Sequence, residues 1–227
     1  FTGPTNKSTF TYASWTFRKA PKFFDVVTWT GDGVSGKTIS HNLGSTPGCV
    51  IIKRTDSTSN WTFWHRSLTA GKFLRLNLTD AEVNAAFFEA VSGEGNVNPT
   101  DSVITLGNSS QVNANNGTYV AYLFAHNDGD GEFGEDGDQD IIKCGSYTGN
   151  GSSDGPEIDL GFEPQWVMIK NASASSRDGV DADWLLYDTM RGMTVGGYGN
   201  QWIKTNESDA EVDTNFGPDP TPTGFKF

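Results

Sequence analysis

Cysteine is scarce, with only Cys49 and Cys144 in 227 residues. That excludes a disulfide framework as the main support of the fold, and neither residue has the C-x-x-C spacing of a thiol metal site or redox motif. Each stands in an apolar string, Gly48-Cys49-Val50-Ile51-Ile52 and Ile141-Ile142-Lys143-Cys144, so both read as small buried hydrophobes on strands, with a single disulfide as the minor alternative. Histidine is limited to His41, His65 and His126, too few and too scattered for an H-E-x-x-H metal site, and no G-x-S-x-G nucleophile elbow is present. Cations are outnumbered, with 16 Lys and Arg against 28 Asp and Glu and a net charge of −12. Such a surface repels phosphate backbones, so nucleic acid is not an expected partner. No apolar run approaches the ~20 residues a membrane-spanning helix needs, so membrane insertion is not expected either. Residues 1–7 carry no charged-then-apolar leader, so the chain is expected to be the interior of a longer protein or to leave its cell without such a leader.

Aromatic residues and glycine are plentiful: 15 Phe, 7 Trp, 6 Tyr and 27 Gly. The aromatics supply large units of apolar area, enough for a substantial core. Eleven short stretches rich in β-branched and aromatic residues lie between Gly, Asn, Asp, Ser or Pro: 26–30, 37–41, 49–54, 61–66, 72–77, 102–106, 118–125, 141–147, 166–171, 184–188 and 201–204. The spacing predicts an all-β fold of sandwich or barrel type. Two S/T-x-x-E strings, Thr79-Asp80-Ala81-Glu82 and Ser208-Asp209-Ala210-Glu211, predict short capped helices, because the hydroxyl and the Glu can satisfy each other's end of a first turn.

The chain also repeats itself. Trp29-Thr30-Gly31-Asp32-Gly33 returns as Tyr147-Thr148-Gly149-Asn150-Gly151, and Leu43-Gly44 through Val50-Ile51-Ile52-Lys53 returns as Leu160-Gly161 through Val167-Met168-Ile169-Lys170. Trp61-Thr62-Phe63-Trp64-His65 then matches Trp184-Leu185-Leu186-Tyr187-Asp188, and Thr79-Asp80-Ala81-Glu82-Val83 matches Ser208-Asp209-Ala210-Glu211-Val212. The order is kept throughout, which predicts one supersecondary unit used twice. Thr11-Tyr12-Ala13-Ser14-Trp15-Thr16-Phe17 resembles Thr118-Tyr119-Val120-Ala121-Tyr122-Leu123-Phe124, the string that closes the first copy. The expected organisation is an N-terminal strand segment over 1–24 that belongs to a neighbouring or partner repeat, a first β-sandwich-like repeat over 25–127, an acidic Gly-rich linker over 128–138, and a second repeat over 139–227. The spare strand is expected to fill the vacant edge of a second repeat, within one chain or between copies. Tyr12, Trp15, Phe17, Phe225 and Phe227 are the interface candidates this assigns.

Other constellations have plainer readings. Asp128, Asp130 and Glu132 alternate as Ca²⁺ ligands could, but Phe133 stands where an EF-hand loop needs Gly and Gln139 where it needs Glu, so a solvated linker is expected and no cofactor is required. Glu82 and Glu211 recur in both copies, and helix capping explains them before glycoside hydrolysis does. His65 is replaced by Asp188 in the second copy and His41 by Asp159, so both histidines are expected at strand edges or surfaces. Trp61, Trp64, Trp184 and Tyr187 recur and are expected in two equivalent cores. Phe23, Phe24, Tyr198 and Trp202 lack counterparts and are candidates for a glycan or protein contact surface.

The strings Trp15-Thr16-Phe17-Arg18-Lys19-Ala20-Pro21-Lys22-Phe23-Phe24-Asp25, His41-Asn42-Leu43-Gly44, Tyr119-Val120-Ala121-Tyr122-Leu123-Phe124-Ala125-His126, Cys144-Gly145-Ser146-Tyr147-Thr148-Gly149 and Gly161-Phe162-Glu163-Pro164-Gln165-Trp166 resemble an uncharacterised repeat domain of tailed-bacteriophage virion proteins, many of them marine. The resemblance covers nearly all the chain from about residue 11. It implies a viral structural protein such as a tail fibre, located in the virion and extracellular, with no established catalytic residues to carry over. Copies in that family continue past a G-F-x-hydrophobic string into another strand, so a strand supplied after or from outside this sequence is expected. The leading expectation is a non-enzymatic structural or adhesion protein. It would self-assemble, by strand donation, and contact other virion proteins or a host-surface glycan. The alternatives are a carbohydrate-binding module and, third, a polysaccharide depolymerase.

Overall fold

The computed structural model describes residues 5–10, 12, 14–175, 181–196, 200–214 and 217–227. Along the first half run β1 (Phe24–Thr30), β2 (Lys37–Ser40), β3 (Cys49–Arg54), β4 (Thr62–His65), β5 (Lys72–Arg75), β6 (Val83–Asn84), β7 (Val103–Leu106), helix α1 (Ser110–Asn113) and β8 (Thr118–Phe124). The second half holds β9 (Glu157–Asp159), β10 (Trp166–Lys170), β11 (Trp184–Asp188), β12 (Asn200–Lys204), β13 (Val212–Thr214), β14 (Asp219–Thr221) and β15 (Gly224–Lys226). The fold is all-β, and every paired strand is antiparallel.

The strands fall into four sheets, ordered β1-β8-β3-β4-β5-β6, β2-β7, β10-β11-β12-β13 and β14-β15-β9. Side chains alternate across each pleat, so one strand feeds two cores. In β3, Val50 and Ile52 join Trp29, Trp64, Phe73 and Leu123 in a first core, which the β2–β7 pair covers with Ile39, Ile104 and Leu106. Cys49 and Ile51 point to the other face, where Phe63 and Leu74 meet Trp184, Met168 and Ala172 of the second half. In β10, Val167 and Ile169 join Tyr187, Trp202 and Phe225 in a third core, while Met168 faces the second. The middle core therefore joins the two halves. The Trp184 ring lies 4.7 Å from that of Phe63, and its Nε1 donates to the Arg75 carbonyl at 3.1 Å. Lys170 Nζ reaches the Thr79 carbonyl, and the Glu82 amide donates to the Ala172 carbonyl.

Several expectations are corrected by this arrangement. The two capping-box strings form no helix. Val83–Asn84 pairs with β5 instead, the Glu82 carboxylate accepts from the Thr69 amide, and residues 212–214 pair with β12. Groups that would have capped a first turn are taken up by tertiary partners. The one helix among the described residues is α1, capped by Ser109, whose hydroxyl accepts from the Gln111 amide. Residues 141–147 belong to no sheet, so Cys144 is partly buried off any strand. His41 is buried, and its Nδ1 accepts from the Leu43 amide. Of the recurring aromatics, Trp64 and Tyr187 fill the first and third cores, whereas Trp184 lies between the halves.

The start of β1 is fastened by Asp25. Its carboxylate is buried, accepts from the Val26 and Asn42 amides at 2.8 Å each, and pairs with Lys19. Burial works to raise its pKa, but the Lys19 hydrogen bond and the two amides outweigh it, so the carboxyl lies below its ordinary value. A depressed folded value means a stabilisation that is complete above the unfolded value, about 3.9, and lost as pH falls through the folded one. Asp25→Asn is expected to lower stability at neutral pH and to flatten the acid loss below about pH 4. Urea titrations at pH 7 and pH 3 check this. An unchanged pH slope would refute the role given to Asp25.

Candidate functional site

Two surfaces stand out once the sheets are placed. The first is the N-terminal arm. It leaves the fold at the Lys19–Asp25 ion pair and the Ala20–Phe24 bridge, and the described residues before that point lie in no strand. Tyr12, Trp15 and Phe17 are 52%, 41% and 41% exposed. The Tyr12 hydroxyl accepts from the Lys7 amide at 3.0 Å, and the Arg191 guanidinium lies 5.4 Å from the Trp15 ring. The Phe17 ring rests against Phe23, Phe24 and Phe124 at 5.5–6.0 Å.

The second surface is the outer edge of β10. Among the described residues β11 alone pairs with β10, so the other side of β10 is the edge of its sheet. Trp166 at its start and Tyr147 on the preceding unpaired segment are each 40% exposed. The Tyr147 ring lies 5.0 Å from that of Phe227 and 6.4 Å from that of Phe225. Burial pushes the Tyr147 phenol up to about 12. Phe225 itself is buried in the third core, and Phe227 packs against that core from its margin.

The remaining aromatic candidates divide. Phe24 is buried in the ring cluster with Phe17, Tyr122 and Phe124, and so lies in the interior, not on a contact surface. Phe23 is partly buried against Phe133. Trp202 sits on β12 opposite Val212 and packs against the third core. Tyr198 lies outside the described residues.

The acidic stretch folds back on itself through a Phe133–Gln139 bridge. Asp140, which the sequence reading passed over, organises it: one carboxylate oxygen accepts from the Gly129 amide at 2.7 Å and the other from the Gly131 amide at 2.8 Å. Asp128 pairs with Lys143 at 2.9 Å, and Lys22 bridges Glu132 at 2.9 Å and Asp130 at 3.9 Å. The Lys143 hydrogen bond holds the Asp128 carboxyl below its ordinary value, and the Glu132 hydrogen bond raises Lys22. Lysines thus occupy the positions a cation would take. Among the described residues no group of three or more His, Cys, Asp or Glu is placed to hold a metal ion, and no helix is long and apolar enough to cross a membrane.

The chain belongs to the DUF7483 family. That family is described as a domain of unknown function, and the match runs over residues 2–227. No curated protein and no solved structure matches the chain.

In this member of the family the two cysteines meet. Both thiols are free; Cys144 packs with Cys49 in the middle core, and its Sγ donates to the Ala125 carbonyl at 3.5 Å. The neighbouring Cys49 lowers the Cys144 thiol, with His65 and Arg66 adding to it against burial, and Cys144 in turn raises Cys49. The Cys144 amide donates to His126 Nδ1 at 3.1 Å. Cys144 is the more exposed of the two and carries the more acidic thiol, and the thiolate is the reactive form. Iodoacetamide at neutral pH is expected to alkylate Cys144 in the folded chain and to reach Cys49 only after unfolding. Peptide mass mapping checks this, and earlier labelling of Cys49 would contradict the assignment.

Among the described residues, two carboxylates, Asp138 and Asp140, line one open recess, beside Gln139, Gly161 and Phe162. The open recess beside β6, lined by Gly71, Asn84, Asn96 and Glu89, has Glu89 as its one acidic residue. Glu82 is engaged by the Thr69 amide, and Glu211 lies 3.8 Å from the Arg191 guanidinium.

Proposed function

We propose that this chain is a non-enzymatic structural or adhesion component of a bacteriophage particle, built from two tandem β-sandwich-like repeats. The repeats span 25–127 and 139–227, with 128–138 as their connection and 1–24 as a segment that serves another repeat. The observation that carries the repeat is register. Val50 pairs with Trp64 as Val167 pairs with Tyr187, Phe63 with Leu74 as Leu186 with Ile203, and Phe73 with Val83 as Trp202 with Val212. Val167, Leu186, Tyr187 and Val212 are the residues that the recurring strings align with Val50, Phe63, Trp64 and Val83, and β2–β7 has its counterpart in β9–β15. A slip by one residue would send every side chain to the opposite face, so agreement along three ladders supports common descent of the two units.

The virion role rests on the family resemblance of the strings quoted above, and the exposed arm supports it. Self-association and contact with other virion proteins are its partners, its location is the particle outside the cell, and it calls for no cofactor. A Ca²⁺ titration of the melting temperature tests the acidic stretch separately. The main test is mass spectrometry of purified particles from the source culture, in which peptides of this chain are expected. A carbohydrate-binding module would instead bind a glycan array as a stable monomer, and a depolymerase would release reducing ends. Either result, with no peptides in particles, would overturn the reading.

A further inference from the structure

In the first half, β8 lies between two strands. It pairs with β1 from Phe24↔Phe124 to Thr30↔Thr118 and with β3 from Cys49↔Phe124 to Arg54↔Tyr119. Among the described residues, the corresponding lanes of the second half, residues 142–148 and β10, have no strand paired between them. The side chains register the difference. Trp29 is 9% exposed and stacks on Tyr119 at 5.3 Å, whereas its counterpart Tyr147 is 40% exposed. Cys49 is 7% exposed and its counterpart Trp166 is 40%. An edge strand flanked by exposed aromatics is a template for another strand.

The chain also carries a strand of the matching kind. Residues 11–17 repeat the pattern of β8, aromatic for aromatic at Tyr12, Trp15 and Phe17. In the chain's own arm Phe17 packs on the Phe23–Phe24–Phe124 cluster and Trp15 lies against Arg191.

We propose that the arm of one copy, through Tyr12, Trp15 and Phe17, adds as an antiparallel strand to the β10 edge of a second copy, between β10 and residues 142–148. Carrying over the β8 register places Phe17 opposite Trp166 and Ile142, Trp15 opposite Met168, and Tyr12 opposite Tyr147. The last pair repeats the Tyr119–Trp29 stack. Main-chain hydrogen bonds supply the attachment and the alternate side chains its specificity. Each copy both gives and receives a strand, so the contact is heterologous and propagates head to tail unless it closes into a ring. This deepens the proposed function, since it rests on the equivalence of the two halves.

The test uses the full chain, a chain lacking residues 1–19, and a synthetic peptide of residues 8–19. Light scattering of the full chain is expected to show a mass that rises with concentration above 24.6 kDa. The shortened chain is expected to stay monomeric and to bind the labelled peptide in fluorescence anisotropy. Because the shortened chain can fail to fold, Tyr12→Ala with Trp15→Ala in the full chain is a second arm. Both side chains are exposed, so the fold is kept while association weakens by about tenfold or more. A peptide that does not bind the folded shortened chain, or association untouched by the double substitution, overturns the proposal. A full chain that is monomeric at every concentration while the peptide binds only the shortened one places the arm on its own edge, and overturns the second copy as occupant. None of these failures touches the particle test, which judges the proposed function by itself.

Discussion

Trp184→Ala is expected to cost the protein about 3–5 kcal/mol, the range for removing a buried Trp or Phe side chain. Trp184 is buried, its ring meets Phe63 edge-on, and its Nε1 satisfies the Arg75 carbonyl. The substitution opens a cavity in the core shared by the two halves and removes one of two donors to the Arg75 carbonyl, the Leu78 amide being the other. The loss should therefore appear as weaker coupling as well as lower stability. Urea unfolding followed by far-UV circular dichroism and by tryptophan fluorescence checks both. Coincident transitions are expected for the parent chain and separated ones for the variant. A loss below ~1 kcal/mol would mean that the halves are held together by something other than this core.

Gly224→Ala is expected to destabilise the second half by about 2–3 kcal/mol, an overpacking cost with little room for relaxation. A β-carbon at Gly224 would stand 1.8 Å from the Ile158 carbonyl oxygen and 2.9 Å from its carbon. Both belong to β9, which pairs with β15 over the third core. Backbone cannot turn aside as a side chain can, so the β9–β15 ladder must part. Hydrogen exchange should quicken at residues 157–159 and 224–226 while β3 and β8 keep their protection. Equal exchange in variant and parent would contradict the close approach.

Strand positions were largely legible because alternation and turn residues act locally. Val50-Ile51-Ile52 and Tyr119-Val120-Ala121 could bury apolar groups only as pleated strands. The recurring strings were legible for the same reason, and the strands that bear them pair in matching order. The capping boxes misled because a hydroxyl and a glutamate three residues apart are also free to serve other elements. At Glu82 the Thr69 amide took the carboxylate and the Ala172 carbonyl took the amide that a Thr79 hydroxyl would have capped. Trp202 escaped notice as a core residue because it stands in no recurring string. Asp140 escaped because a carboxylate that gathers two glycine amides looks, in one dimension, like one more acid in an acidic run.

Composition and pattern alone point to β-sheets around aromatic cores, and to where most of the strands lie, since side-chain alternation and turn chemistry are written into neighbouring residues. They leave open which face of each strand meets which. Trp184 meeting Phe63, Cys49 meeting Cys144, and β10 presenting a bare edge follow from how distant segments pack, because residues far apart in the chain compete for the same apolar surface and the same backbone partners.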